Sequence, residues 1–70
     1  MRLTAREHDV VRLVADGRSN DEIGAALGIG TKTVETHLAR LFERVGVGSR
    51  TELAMRAVRE GWLDVPPPTA

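Results

Sequence analysis

The sequence predicts an all-α fold: a four-helix, bundle-like domain that contains a helix-turn-helix and ends in a disordered, proline-rich tail. Three observations carry that expectation. Ser or Thr stands three residues before Glu at Thr4–Glu7, Ser19–Glu22 and Ser49–Glu52, the reciprocal signature of a capping box at a helix start. Apolar residues recur at spacings of three and four along the helical stretches. No segment carries a strand signal.

The first helix starts at Thr4. Val10, Leu13 and Val14 form its apolar stripe, Val11 widens it, and Asp16-Gly17 ends it. The Ser19 box opens a short second helix with Ile23 and Leu27 on its inner face, stopped by Gly28. Glycine inside a helix costs about 1 kcal/mol relative to alanine, so Gly24 asks for a packing reason, and the close approach of a crossing helix supplies one. Ile29 then re-enters the core. The third helix starts near Gly30 or Thr31 and runs to about Arg44. Val34, Leu38, Leu41, Phe42 and Val45 fall on one side of it, and Lys32, Thr36, Ala39, Arg40 and Glu43 on the other. Thr33, His37 and Arg44 lie along one border and Glu35 along the opposite one. Gly46-Val47-Gly48 breaks the helix.

The Ser49 box opens the fourth helix, which has Leu53, Ala54 and Ala57 towards the core and Gly61 at its end. Thr51, Met55, Val58 and Trp62 recur at four, three and four on another side. That stripe suits a dimer contact, although Trp62 also suits the core of a domain this small. The expected organisation is one domain over 1–64 and a tail over 65–70, where Val65-Pro66-Pro67-Pro68 excludes a helix.

Composition narrows the function classes. Seventy residues allow one small core. With no cysteine there is no disulfide or thiolate metal site, and His8 and His37 are too few and too far apart for zinc. No cofactor is expected, and no catalytic arrangement of nucleophile and base is visible, so an enzyme is not expected. No apolar run reaches membrane-spanning length, which points to a soluble, cytoplasmic protein. The net charge is zero, which argues against a nonspecific nucleic-acid coat. From Thr31 to Arg50, however, Lys32, Arg40, Arg44 and Arg50 stand against only Glu35 and Glu43. One locally basic face on a neutral chain fits a module that touches a polyanion on one side.

At this point the sequence resembles the LuxR-type (NarL/FixJ-type) helix-turn-helix domain of bacterial transcription regulators. The resemblance rests on Leu3-Thr4-Ala5-Arg6-Glu7, on Ser19-Asn20-Asp21-Glu22-Ile23-Gly24 with Leu27-Gly28-Ile29, on Thr33-Val34-Glu35-Thr36-His37, and on Val45-Gly46-Val47 with Arg50. It implies sequence-specific binding to double-stranded DNA for transcription regulation, with the third helix, about 31–44, in the major groove and the fourth helix in a homodimer. It also implies a sensing or receiver domain in a longer regulator, as for a response regulator effector domain, and RNA polymerase as a partner in transcription. Gly30 and Glu35 depart from the family's usual residues, a Ser or Thr cap and a lysine.

On that reading Lys32, Thr36 and Arg40 point into the groove. Lys32 is the only lysine and sits in the first turn of a helix, where the dipole disfavours a cation, so a ligand is the better reason for it. Glu35 suits cytosine N4. Thr31, Thr33, His37 and Arg44 suit phosphate along the margin, as do Asn20 in the second helix and Arg50 at the start of the fourth. Arg50 has a second option, an ion pair with Glu43 or Glu52. Two alternatives stand beside this reading. One is promoter binding of the kind made by the C-terminal region 4 of a sigma factor. The other is a helical dimerisation or protein-interaction module without DNA binding, which the zero net charge and Glu35 favour.

Overall fold

The computed structural model describes residues 2–64; the tail expected over 65–70 lies outside the described residues. Four helices follow in order: α1 (Ala5–Ala15), α2 (Asn20–Leu27), α3 (Thr31–Val45) and α4 (Arg50–Arg59). Among the described residues there is no strand, and no helix is long and apolar enough to cross a membrane.

The helix starts follow from local chemistry. The Thr4 hydroxyl accepts from the Glu7 backbone N–H at 3.1 Å, and the Glu7 carboxylate accepts from the Thr4 N–H at 2.8 Å. Ser19 and Glu22 repeat the exchange at 3.2 and 2.9 Å. The bond from the Ser19 backbone N–H holds the Glu22 carboxyl below its usual range. The third box is only half formed. Ser49 accepts from the Glu52 N–H at 3.2 Å, but the return bond expected from the sequence is missing. The cause is in the backbone: Ser49 has φ −155°, against −70° and −76° at the other two caps. That rotation about N–Cα swings its N–H away from the first turn.

The four helices close on one core. Val10, Val11, Ile23, Val34 and Leu53 are fully buried and Leu41 nearly so, joined by Leu3, Val14, Leu38, Val47, Ala57 and Trp62. Helix α1 packs on α4, α2 on α3, and α1 on α3. Each such aliphatic side chain stabilises the fold by about 1.5–3 kcal/mol relative to exposure. Sequence reading missed His8 as a core residue. It is buried on α1, and its Nε2 has no hydrogen-bond partner among the described residues. Val11 at the i+3 position was the signal that His8 shares the apolar side.

Trp62 corrects one expectation. It is 6 % exposed and belongs to the core, so it does not share an open face with Met55 and Val58, which are 62 % and 69 % exposed. Helical spacing does not apply to it, because α4 stops at Arg59. The chain reverses through Gly61 at φ 69°, and the Trp62 N–H bonds back to the Ala57 carbonyl at 3.0 Å. The indole is carried inward by that reversal. Arg12 fixes the returning segment from α1 with a 3.2 Å bond to the Leu63 carbonyl.

The turn between α2 and α3 sets their relative angle. Gly28 takes the left-handed conformation, φ 70°, which a residue with a Cβ adopts only with strain. The Ile29 N–H bonds the Gly24 carbonyl at 2.9 Å. Gly24 has its packing reason here, and the neighbour is the turn itself rather than the flank of a crossing helix. A Cβ at Gly24 would sit 2.7 Å from the Ile29 carbonyl oxygen and 3.6 Å from the first backbone atoms of α3.

A long-range pair fastens the other end of α3. The Arg44 guanidinium donates to both oxygens of Glu7 at 2.7 and 2.8 Å and to the Arg2 carbonyl at 3.1 Å. Glu7 therefore caps α1 and holds the last turn of α3 with the same carboxylate.

Two outcomes follow. Gly24→Val should destabilise the domain by about 1–3 kcal/mol, because a branched side chain is forced against a backbone oxygen; urea unfolding followed by Trp62 fluorescence measures it. Glu7→Gln keeps an oxygen for the Thr4 N–H but loses the charge that Arg44 binds. It should cost about 0.5–1 kcal/mol, since the arginine is half-exposed and its pairing is screened. Glu7→Ala should cost about 1 kcal/mol more, from the lost cap. Equal midpoints for the two Glu7 variants in the same titration would rule out the double role.

Candidate nucleic-acid interface

Helix α3 is 15 residues long, about 22 Å at 1.5 Å per residue. Val34, Leu38 and Leu41 are buried along its inner side. Phe42 and Val45 are half-buried against the same core. Lys32, Thr33, Glu35, Thr36, Ala39, Arg40 and Glu43 are all exposed, and Thr31 and His37 are half-buried. The division is the one that the helical spacing predicts.

The outward charges are unengaged. The ion pairs among the described residues are Arg18–Glu22, Arg44–Glu7 and Arg56–Glu60. Lys32, Arg40, Glu35 and Glu43 are in none of them. The pairing of Glu35 with Lys32 that spacing allows does not form. Thr36 turns its hydroxyl back to donate to the Lys32 carbonyl at 3.1 Å, a bond common for threonine within helices. Its methyl group and the acceptor lone pairs of its oxygen are what it offers outward.

Four further polar residues singled out in the sequence have partners inside the molecule. Arg44 is held by Glu7 and the Arg2 carbonyl, although its side chain remains 44 % exposed. Arg50 takes neither Glu43 nor Glu52. It donates to Asn20 Oδ1 at 2.7 Å and to the Arg18 carbonyl at 2.6 Å. That contact also accounts for Asn20. The Thr31 hydroxyl donates to Asp21 Oδ1 at 2.7 Å, so it ties the start of α3 to α2 and does not cap its own helix. These pairings span 10 to 42 positions in sequence, beyond the reach of local pattern reading.

The start of α3 is open as a result. Gly30 at the cap position has no side chain to bond the first turn, and the first N–H groups of a helix have no partner within it. Unpaired N–H groups, the positive end of the helix dipole and Lys32 thus coincide at one edge of the exposed face. The elements around it are tied together by a turn closed at Gly24, a hydroxyl–carboxylate bond at Thr31 and a two-bond ion pair at Arg44. Chemically, this is a rod presenting donors, the methyl groups of Thr33, Thr36 and Ala39, two unpaired cations and two unpaired acids. Among the described residues no cluster of His, Cys, Asp or Glu could hold a metal.

On α4, Met55 and Val58 are the large apolar side chains left open to solvent among the described residues. Thr51 is exposed beside them. Arg56 bonds Glu60, just past the end of the same helix, and holds its carboxyl below the usual range.

Comparison with known proteins agrees with this geometry. The family model described as bacterial regulatory proteins, luxR family, matches residues 1–57. The transcriptional regulatory protein DegU of Brevibacillus brevis is 40 % identical over 63 residues, which are 90 % of this chain and 27 % of DegU. A solved complex of Vibrio cholera VqmA with ligand and DNA superimposes with TM-score 0.86 at 36 % identity, over 96 % of this chain and 30 % of that one. The Vibrio cholerae VqmA dimer in the absence of target DNA gives TM-score 0.85 at 36 % identity, over 94 % and 30 %. The chain thus spans under a third of the length of these relatives. With most of its residues matched by the family model, its helices superimposed on solved members and its α3 turned outward between fixed ends, the chain belongs to the luxR family of bacterial regulatory proteins.

Proposed function

We propose that residues 1–64 are a sequence-specific DNA-binding domain that regulates transcription, with α3 in the major groove of a duplex. The observation that carries this reading is the outward face of α3. Lys32 and Arg40 stand exposed on it and bound to nothing, on a helix held at both ends. A helix held at both ends fixes where these cations stand, so that only their own side chains have to be ordered on binding an anion. The major groove is about 12 Å wide and admits one helix. Lys32 and Arg40 are assigned to guanine or flanking phosphate, Thr36 to a thymine methyl, Glu35 to cytosine N4, and Thr33 and His37 to phosphate at the margin. The superposition on VqmA in its DNA complex supports the same placement.

Two copies joined through Thr51, Met55 and Val58 would set two α3 helices about one helical turn apart on an inverted repeat. That VqmA is described as a dimer supports the pairing of two copies. In a longer regulator, a sensing or receiver domain would control how this face is presented, and RNA polymerase would be the machinery it acts on. Glu35 and Glu43, exposed and unpaired on the same helix, favour a second reading, a protein-interaction module. A mobility shift at low salt separates the two. Binding to a promoter fragment without polymerase separates the first from sigma-type binding.

Lys32→Ala and Arg40→Ala should each weaken binding about tenfold to a duplex selected from random DNA, a loss typical of a base or phosphate contact. The helical circular dichroism should be unchanged. Wild-type affinity in both variants would overturn the assignment of this face. Val58→Glu puts like charges together across the two-fold axis. It should weaken binding to an inverted repeat while leaving the affinity for a single half-site unchanged; fluorescence anisotropy with both duplexes reads the difference, and equal losses on the two would count against a dimer through α4.

A further inference from the structure

The internal bonds of Arg50 give it a second consequence. An arginine guanidinium only donates hydrogen bonds. The atom of the Asn20 carboxamide that faces Arg50 at 2.7 Å must therefore be its oxygen. The carboxamide is planar, so Nδ2 and its two N–H groups occupy the other branch, and no described residue accepts from them. The guanidinium is itself anchored, because its second nitrogen bonds the Arg18 carbonyl at 2.6 Å. Asn20 is half-buried at the first residue of α2. Its neighbour Asp21 holds the Thr31 hydroxyl. Asn20 thus lies one residue along α2 from the tie that fastens the start of α3.

We infer that Arg50 is a positioning residue and that Asn20 is the group it positions, with Nδ2 donating to a phosphate of the DNA backbone. The inference rests on the DNA-binding reading and goes one step past it. A phosphodiester oxygen only accepts, so it is the complement of an amide whose acceptor is already taken. Presenting a fixed donor in this way avoids ordering a free side chain on binding. Arg50 contributes through orientation and does not itself neutralise a phosphate.

Asn20→Asp separates the two halves of the idea. The variant keeps an oxygen for Arg50, adds a favourable charge pair, and puts an acid in the first turn of a helix. Its thermal midpoint should equal or exceed that of the wild-type chain. It has lost both N–H donors, so its affinity for a duplex selected by the wild-type chain should fall roughly tenfold or more. That deficit should persist as salt rises. Arg50→Gln should weaken binding several-fold while leaving the slope of log affinity against log salt unchanged, and it should cost nothing further in an Asn20→Ala background. Wild-type affinity in Asn20→Asp, or a deficit that vanishes at high salt as plain repulsion would, overturns the inference. So does a salt slope lowered by about one in Arg50→Gln, the mark of a direct phosphate contact, or a full additional loss in the Asn20→Ala background. If the wild-type chain shifts no duplex at low salt, the DNA-binding reading itself fails and the inference falls with it; a wild-type shift alongside an unimpaired Asn20→Asp overturns the inference alone.

Discussion

The fastening of α3 is the constraint from which the rest of the molecule follows. A helix read by a partner must stay fixed while leaving one long side uncovered. Burial supplies the first half of that requirement, through Val34, Leu38 and Leu41. Burial alone leaves the ends of a rod free to fray and its rotation loosely set. Here the first residue of α3 is tied to α2 by Thr31–Asp21, and its last turn to α1 by Arg44–Glu7. Neither tie crosses the outward face.

A chain of this size has little core to draw upon. Its stability therefore depends more on local terms than a larger domain's would. Each Ser or Thr cap contributes about 1 kcal/mol, comparable to the share of a single core side chain. The same groups recur in more than one role. Glu7 caps α1 and binds Arg44; Arg50 starts α4 and grips both the loop before α2 and its first residue. In so small a domain, long-range polar bonds do part of the work of relative placement that a bigger apolar interior does elsewhere.

What was legible in the sequence and what was not divides along the same line. Helix starts at Thr4 and Ser19 and the sidedness of α3 were legible, because capping and amphipathicity depend on residues three or four apart. The DNA-facing assignment of Lys32 and Arg40 came from that sidedness together with the family resemblance. For Arg44 the local pattern offers phosphate, and for Arg50 phosphate or a pair with Glu43 or Glu52; the partners they take lie 37 and 30 positions away. Trp62 lies three residues past the end of α4, so the pattern offers it both the surface stripe and the core, and the reversal at Gly61 decides for the core. The half-formed box at Ser49 turned on a backbone angle that residue identity does not specify. The burial of His8 depends on which helices close over α1, which its neighbours in sequence do not state. Local physics is written in the pattern; which distant side chains meet is decided by tertiary packing.

The zero net charge takes on a different meaning once these pairings are counted. Of the four cations between Thr31 and Arg50, Arg44 and Arg50 are bound internally, and Lys32 and Arg40 are left facing outward with Glu35 and Glu43 beside them. Counterion release scales with the number of phosphates neutralised. A face with so few free cations gains little from it, and the two acids subtract from what it gains. Nonspecific attraction to DNA is accordingly weak for such a module, and a larger share of its binding free energy has to come from contacts that depend on the base pairs and on exact placement. A domain built that way needs its reading helix held rigidly, and two copies in register, more than it needs a basic surface. The polar ties at both ends of α3 meet the first need, and the open apolar pair on α4 suits the second.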